Sequence, residues 1–246
     1  MKHSFLSLTI AIPAYNEEGS IGRVIERAMN AGRSLASDYE ILVVDDGSTD
    51  GTEKIARQFA KKNARITIIR HRHNLGFSGA IKSCYSHASK ELIFLLPGDG
   101  QIDAQDIAIF LRKAKDADVV VGYRISNPEP LTRRITSYVF HTLFRVLFGV
   151  PLKEISTSIL WHKSVLDRIT ITAEGRSALI EPEVVYKAWE SGFRFSQVPI
   201  PYYPRVTGKP KGTNILMILM TLKELLRLWW TLRIQKNQPR NSSRMK

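Results

Sequence analysis

Along the first 122 residues, short runs that are apolar at every position alternate with stretches whose apolar residues recur three and four apart. The runs LTIAI (8–12), EILVV (40–44), ITIIR (66–70), ELIFLL (91–96) and DVVVG (118–122) read as strands. The intervening stretches, near 18–32, 51–62, 77–89 and 104–115, read as helices. Continuous apolar runs such as ILVV and IFLL suit parallel strands covered on both faces, whereas a half-exposed strand alternates. Strand–helix alternation with right-handed crossovers predicts an open α/β sheet with helices on both faces.

Beyond residue 130 the alternation stops. Residues 132–148 have the pattern of an amphipathic helix, a short strand is expected around 156–162, and 182–193 read as a helix closed by Gly192. The segment 195–205 is extended and punctuated by prolines, and a last amphipathic helix is expected within 214–234. This divides the chain into a catalytic-sized domain over 1–211, an interfacial helix over 212–235 and a basic, disordered tail over 236–246.

Ligands of such sheets bind beyond the carboxyl ends of the strands. At those ends stand PAYNEE, DDGSTDGT, HRHNLGFSGA, PGDGQ and YR, all polar, glycine-bearing or acidic. In DDGSTDGT, Ser48, Thr49 or Asp50 can cap the next helix, but a cap needs no pair of acids, so Asp45 or Asp46 is a candidate acceptor for a nucleobase N–H or a ribose hydroxyl. Asn16 can cap a helix, and Tyr15 can pack on a base. The glycines of NLGFSGA, Gly76 among them, lie where a helix start favours an anion, or where two elements merely pack closely. Asp99 and Gln101, in a loop turned by Gly98 and Gly100, offer oxygen ligands. Magnesium commonly takes only one or two carboxylates when a diphosphate supplies the rest.

Charge adds a partner to this picture. The 36 basic and 23 acidic residues leave +13, and the stretch from Arg205 to Lys246, with ten Lys or Arg and one Glu, carries +9 of it. An anionic ligand or surface follows. Arginine forks suit phosphate oxygens, which makes Arg124, Arg133, Arg205 and Lys211 phosphate candidates. Nucleic acid is not expected, because no binding motif accompanies the charge. The single cysteine, Cys84, excludes an internal disulfide and a cysteine-rich zinc site. The apolar part of the N-terminus is too short for a signal peptide or a span, and Gly212 to Leu222 is too short to cross about 30 Å of hydrocarbon. An amphipathic helix lying in the headgroup region, or packed on a partner, fits better.

In their order and spacing, IAIPAYNEEGSI, EILVVDDGSTDGT, NLGFSGA, GDGQ, DVVVGYR, EISTSIL and QVPIPYYPRVTGKPKG resemble the family-2 glycosyltransferases of the GT-A fold. The match runs over roughly 7–211 and is nearest to the dolichyl- and polyprenyl-phosphate sugar transferases, the dolichol-phosphate mannosyltransferase-like branch. Two departures stand out: Pro97 replaces the first acid of a D-x-D-x-Q arrangement, and Glu154 and Ser156–Ser158 replace a D-x-x-S-G-F segment.

The resemblance implies an enzyme that moves a hexose, with inversion, from a GDP-mannose- or UDP-glucose-type donor to a polyprenyl phosphate. Pro13, Tyr15, Glu17, Asp45, Asp46 and Gly76 would bind the nucleotide, and Asp99 with Gln101 would hold Mg²⁺ or Mn²⁺. Arg124, Arg133, Ser137, Arg205 and Lys211 would hold the acceptor phosphate, so that Asp99, Arg124 and Arg205 carry the catalysis. The implied location is peripheral, on the cytoplasmic face of a membrane, alone, as a homodimer or with a membrane-protein partner. Two alternatives stay open: transfer to a glycan hydroxyl, with Glu154 or Glu183 as base, and an inert sugar-nucleotide-binding relative.

Overall fold

A computed structural model describes residues 7–126, 129–155, 158–173, 179–205 and 222–232. Within them, β1 (Ser7–Ala14), α1 (Ile21–Leu35), β2 (Asp38–Asp45), α2 (Thr52–Lys62), β3 (Ile66–Arg70), α3 (Gly76–His87) and β4 (Leu92–Leu95) alternate as the pattern predicts. A 3-10 turn at Ala104–Asp106 leads into α4 (Ile107–Lys113), followed by β5 (Val119–Arg124) and α5 (Leu131–Phe148). The chain continues with β6 (Ile159–His162), α6 (Lys163–Leu166), α7 (Ile180–Glu190) and β7 (Phe195–Ile200), and residues 222–232 form a helix, α8.

The seven strands make one sheet in the order β3-β2-β1-β4-β6-β5-β7. The period of two along each strand sorts its side chains between two cores. Leu8, Ile10 and Ile12 of β1, Ile41 and Val43 of β2, and Leu92 and Phe94 of β4 face α1 and α4. Ala11, Leu42, Val44, Ile93 and Leu95 face α3, α5, α7 and α8. Burial on both faces explains why these runs are apolar throughout.

One strand breaks the parallel pattern. β6 runs antiparallel between β4 and β5, with Ile93 opposite Trp161 and Val120 opposite Leu160. It separates the loop after β4 from the loop after β5, and it widens the ligand edge of the sheet there. Ser158, at its start, donates to the Leu95 carbonyl at 3.1 Å and so stitches the widened edge together.

The last helix packs on α5. Leu225 and Leu232 are buried in the core, and the Trp229 indole N–H donates to the Leu147 carbonyl at 2.8 Å. The remainder of the expected 212–235 helix, the tail 236–246 and Lys211 lie outside the described residues.

Candidate active site

The first two loops of the ligand edge are bolted to each other through backbone groups. The amides of Asn16, Glu17 and Glu18 donate to Ser48 Oγ, Thr52 Oγ1 and Asp50 Oδ2 at 3.0, 2.8 and 3.1 Å. In return, Asn16 Oδ1 and Glu18 Oε2 accept from the amides of Thr49 and Gly51 at 2.9 and 2.8 Å. Asn16 therefore caps no helix; it joins the two loops from a left-handed backbone (φ 53°), a conformation that Asn tolerates better than most residues. Burial acts to raise the Asp50 carboxyl, but hydrogen bonds from Thr52 and Glu18 outweigh it and hold Asp50 below the usual carboxylate range.

The adjacent acids of DDGSTDGT have different tasks. Asp45 is fully buried. Its Oδ1 accepts the Ser48 amide at 3.1 Å, while Oδ2 has no hydrogen-bond partner, with Arg70 Nη1 3.8 Å away. An acceptor shielded from water is costly until something donates to it, which fits a ligand N–H or hydroxyl. Asp46 turns the other way. Its carboxylate accepts the amides of Leu75 and Gly76 at 2.8 and 2.9 Å and pairs with His71 Nδ1 at 2.7 Å, and His71 Nε2 meets Ser83 Oγ at 2.8 Å.

Asp46 and Gly76, both expected at the nucleotide, are bonded to each other at the ligand edge. Asp46 braces the β3–α3 loop, and the Gly76 N–H is spent on it rather than offered to an anion. Asp46→Ala should leave two backbone amides without an acceptor, the Gly76 one buried, and lower stability by about 1–3 kcal/mol. Urea unfolding would show this as a shifted midpoint at an unchanged slope.

The PGDGQ loop is drawn against the end of β1. A Cβ on Gly98 would stand 2.9 Å from the Pro13 carbonyl, and Ser20 Oγ donates to the Gly98 carbonyl at 2.8 Å, so a side chain there would push the loop off. Asp99 Oδ1 accepts the Gln101 amide at 3.1 Å. Its Oδ2 accepts Arg205 Nη2 at 2.8 Å, and Arg205 Nη1 stands 3.7 Å from Glu17 Oε1.

Gln101, expected as a metal ligand beside Asp99, is tied to three neighbouring segments. It is buried, its Nε2 donates to Glu129 at 3.2 Å and to the Tyr203 carbonyl at 3.3 Å, and its Oε1 accepts the Tyr202 hydroxyl at 2.9 Å. Gln101 is thus a keystone joining three loops. Tyr202, which sequence reasoning did not single out, also lies under the Arg124 guanidinium at 5.1 Å. The only sequence signal for it was the aromatic pair that follows Pro199 and Pro201.

Arg124 ends β5. Its Nε bonds both carboxylate oxygens of Glu154 at 3.2 and 3.0 Å, and its Nη2 donates to Ser137 at 2.8 Å. Arg133 pairs with Glu129 at 2.9 Å. Both alternative bases are engaged. Glu154 is held by Arg124, and Glu183 receives the amides of Thr172 and Ala173 at 2.8 and 2.6 Å and the Lys187 ammonium. Burial acts to raise Glu183, yet these donors bring it below the ordinary range, so it pins the 170–173 segment instead of standing ready to take a proton.

Arg124, Ser137 and Glu154 line a cleft of about 610 Å³ that also holds Arg134, Arg145 and Lys153. His141 in its wall is buried, and burial pushes it down to about 4, with Arg124 and Arg145 acting the same way against Glu154; it is neutral at physiological pH. The cleft's outer wall is the exposed apolar face of α5, with Leu131, Ile135 and Tyr138.

Residues 9–169 match the family model for glycosyl transferase family 2, about two thirds of the chain. The chain belongs to that family. A dodecaprenyl-phosphate galacturonate synthase of Rhizobium johnstonii is 27% identical over 215 residues, covering 84% of this chain and 62% of its own length. A dolichyl-phosphate β-glucosyltransferase of Trichomonas vaginalis is 26% identical over 212 residues, 79% of this chain and 65% of its own. An undecaprenyl-phosphate 4-deoxy-4-formamido-L-arabinose transferase of Edwardsiella ictaluri is 25% identical over 206 residues, 83% and 62%. The chain thus spans less than two thirds of each relative's length. Glucosyl-3-phosphoglycerate synthase of Mycobacterium tuberculosis, solved with Mn²⁺, UDP and its product, superposes with a TM-score of 0.71 at 16% identity over 92% of this chain and 80% of that one. The same enzyme solved with Mg²⁺ and UDP gives 0.70 at 15%, with the same coverage of both chains. The fold is therefore GT-A.

Whether the donors present suit such an ion can be judged from their chemistry. Asp99 and Glu17 bring hard carboxylate oxygens to one guanidinium, the character Mg²⁺ and Mn²⁺ select. Among the described residues no group of three or more His, Cys, Asp or Glu converges. A cation here would complete its shell from the donor's diphosphate and water.

Proposed function

We propose that the chain transfers a sugar from a nucleoside-diphosphate donor to a polyprenyl phosphate at a membrane surface. The observation that carries this reading is the cleft at Arg124: a floor of cations and a serine hydroxyl, with a wall of exposed apolar side chains. A phosphate on an apolar tail needs both, and three family relatives bear the names of prenyl-phosphate sugar transferases.

Asp45 accepts a donor N–H or hydroxyl through the oxygen that carries no hydrogen bond, with Pro13 and Tyr15 beside it at the end of β1. Asp99 holds Mg²⁺ or Mn²⁺, which when bound offsets charge on the departing nucleoside diphosphate. Arg124 and Ser137 orient the acceptor phosphate, and Arg133 and Lys211 add positive charge. That phosphate is already anionic, so the in-line attack on the sugar carbon needs positioning and no general base. This agrees with Glu154 and Glu183 both being engaged.

The same face explains how the enzyme reaches its acceptor. Leu131, Ile135, Tyr138, Val139 and Val146 of α5 and Leu226 and Trp230 of α8 are exposed, with Arg134, Arg145 and Lys153 at their edge. Among the described residues no helix is long and apolar enough to cross a membrane. The two helices lie in the headgroup region, cations toward anionic lipid.

The test is transfer from radiolabelled UDP- and GDP-sugars to vesicles containing polyprenyl phosphate, with Mn²⁺, Mg²⁺ or EDTA. Metal-dependent label in an acid-labile lipid is expected; tight nucleotide binding without lipid label would refute the acceptor. In flotation with anionic vesicles, Tyr138→Asp with Trp230→Asp should lower the partition constant by about thirtyfold, each costing roughly 1 kcal/mol of burial. Equal flotation of variant and wild type would refute the docking face.

A further inference from the structure

The cation site rests on an unusual chain of contacts. In the D-x-D-x-Q arrangement the first position is Pro97, which offers no ligand, so Asp99 is the acid that remains on its loop. The structure brings up another carboxylate from a different loop. Arg205 sets one terminal nitrogen on Asp99 Oδ2 at 2.8 Å and the other 3.7 Å from Glu17 Oε1. These side chains are largely withdrawn from water, at 20% exposure for Arg205 and 12% for Asp99 and Glu17.

We propose that Arg205 occupies the divalent-cation position of the ligand-free enzyme, bridging Asp99 and Glu17, and that Glu17 serves as the second protein carboxylate for the metal in place of the acid absent at Pro97. The inference rests on the nucleotide-sugar reading of the site and goes beyond it: it assigns a ligand from the β1 loop and a resident counter-charge that must leave.

Two facing carboxylates in a partly dry setting repel each other unless a cation lies between them. The guanidinium meets that need when no metal is bound. A small ion with oxygen ligands at about 2.0–2.1 Å meets it better and draws the loops closer than a planar five-nitrogen-proton fork allows. Arg205 then gives up its pairing and becomes available to an incoming anion. The acceptor phosphate therefore gains a binding cation only after donor and metal are seated. That order prevents a lipid phosphate from taking the site first.

Glu17 is fixed for this task by its own backbone. Its amide donates to Thr52 Oγ1 at 2.8 Å, and Ser20 Oγ donates to its Oε2 at 3.0 Å, the same hydroxyl that reaches the Gly98 carbonyl. The β1 loop and the Asp99 loop thus share a serine on the very side where they share Arg205.

The experiment is Mn²⁺ titration of the purified chain followed by electron paramagnetic resonance of the free ion, without nucleotide and with UDP or GDP. Arg205→Gln should tighten Mn²⁺ binding without nucleotide by about tenfold, since it removes a competing charge coupled to both carboxylates. Glu17→Gln should weaken Mn²⁺ binding about 10- to 100-fold. Combining the two should cancel most of the gain.

Arg205→Lys, which keeps the charge but cannot span both acids, should fall between wild type and Arg205→Gln and guards against a folding defect. Melting temperatures of all variants are taken in the same buffer. Unchanged or weaker Mn²⁺ binding in Arg205→Gln and Arg205→Lys overturns the occupancy by Arg205. Wild-type affinity in Glu17→Gln overturns Glu17 as a ligand, and no Mn²⁺ binding in any variant overturns both. The broader reading fails separately: tighter Mn²⁺ binding with no lipid product would sink the polyprenyl acceptor and leave this proposal standing.

Discussion

Asp99→Asn is expected to lower sugar transfer by about 10³-fold at saturating Mn²⁺, the equivalent of several kcal/mol of lost charge stabilisation at the leaving diphosphate. The substitution keeps the size of the side chain and its acceptor for the Gln101 amide, so the loop has no steric reason to move. What it removes is the negative charge that faces Arg205, and with it the ligand proposed for the cation. Asp45→Asn makes the informative contrast. Its oxygen lies at the end of β2, where a donor's base or ribose would meet it, and the change should raise KM for the nucleotide sugar with little effect on kcat. Steady-state kinetics with the donor found in the transfer assay separates the two patterns. Transfer by Asp99→Asn within tenfold of wild type would remove Asp99 from the chemistry.

Much of this site could be read from residue order alone. Strands apolar at every position announce a sheet covered on both faces, and polar, glycine-bearing loops at successive strand ends announce the ligand edge. What stayed hidden depends on side-chain direction. Asp45 and Asp46 are neighbours of one residue type, yet one keeps an oxygen free of hydrogen bonds and the other is consumed by two amides and a histidine. Only the β3–α3 loop, folded across from more than twenty residues away, decides between them.

The partners of Gln101 stayed hidden for the same reason. An amide two residues from an acid suits a metal loop, but the partners that claim it, Glu129, Tyr202 and Tyr203, come from segments 28 to 102 residues distant. The antiparallel β6 was legible as a strand and illegible in direction, since three apolar residues and a histidine carry no sign of which way they run. The loop after β4 and the loop after β5 are kept apart by that strand, and the Gln101–Tyr202–Arg124 chain of contacts spans the gap. A substitution at Gln101 or Tyr202 would accordingly disturb the Asp99 loop and the Arg124 end of β5 together.

A second large effect is expected far from the ligand edge, at Glu181 in the first turn of α7. Its carboxyl is buried in the core, Oε2 has no hydrogen-bond partner, and burial pushes its pKa up to about 8 from an ordinary 4.5. The Tyr85 hydroxyl, also buried, is pushed well up by its own burial and by Glu181. The folded chain therefore keeps this proton through a range in which the unfolded chain has released it. Stability from this group is fully present below about pH 4.5, falls as pH rises toward 8, and is level above that, because the unfolded state binds fewer protons throughout the window. The slope is about 1.4 kcal/mol per pH unit, so the loss across the window is several kcal/mol. Glu181→Gln carries no proton to lose. It should match wild type near pH 5 and exceed it increasingly toward pH 8. Other groups titrate in the same range; His141, neutral when folded and protonated when unfolded at low pH, tilts stability the opposite way below about pH 6.5. Those contributions are common to both proteins and cancel in the difference, which makes the wild-type-minus-variant curve from urea unfolding at pH 5, 6, 7 and 8 the quantity to read. Parallel curves would mean that Glu181 is ionised in the folded protein and that its pocket holds a cation or water able to support the charge.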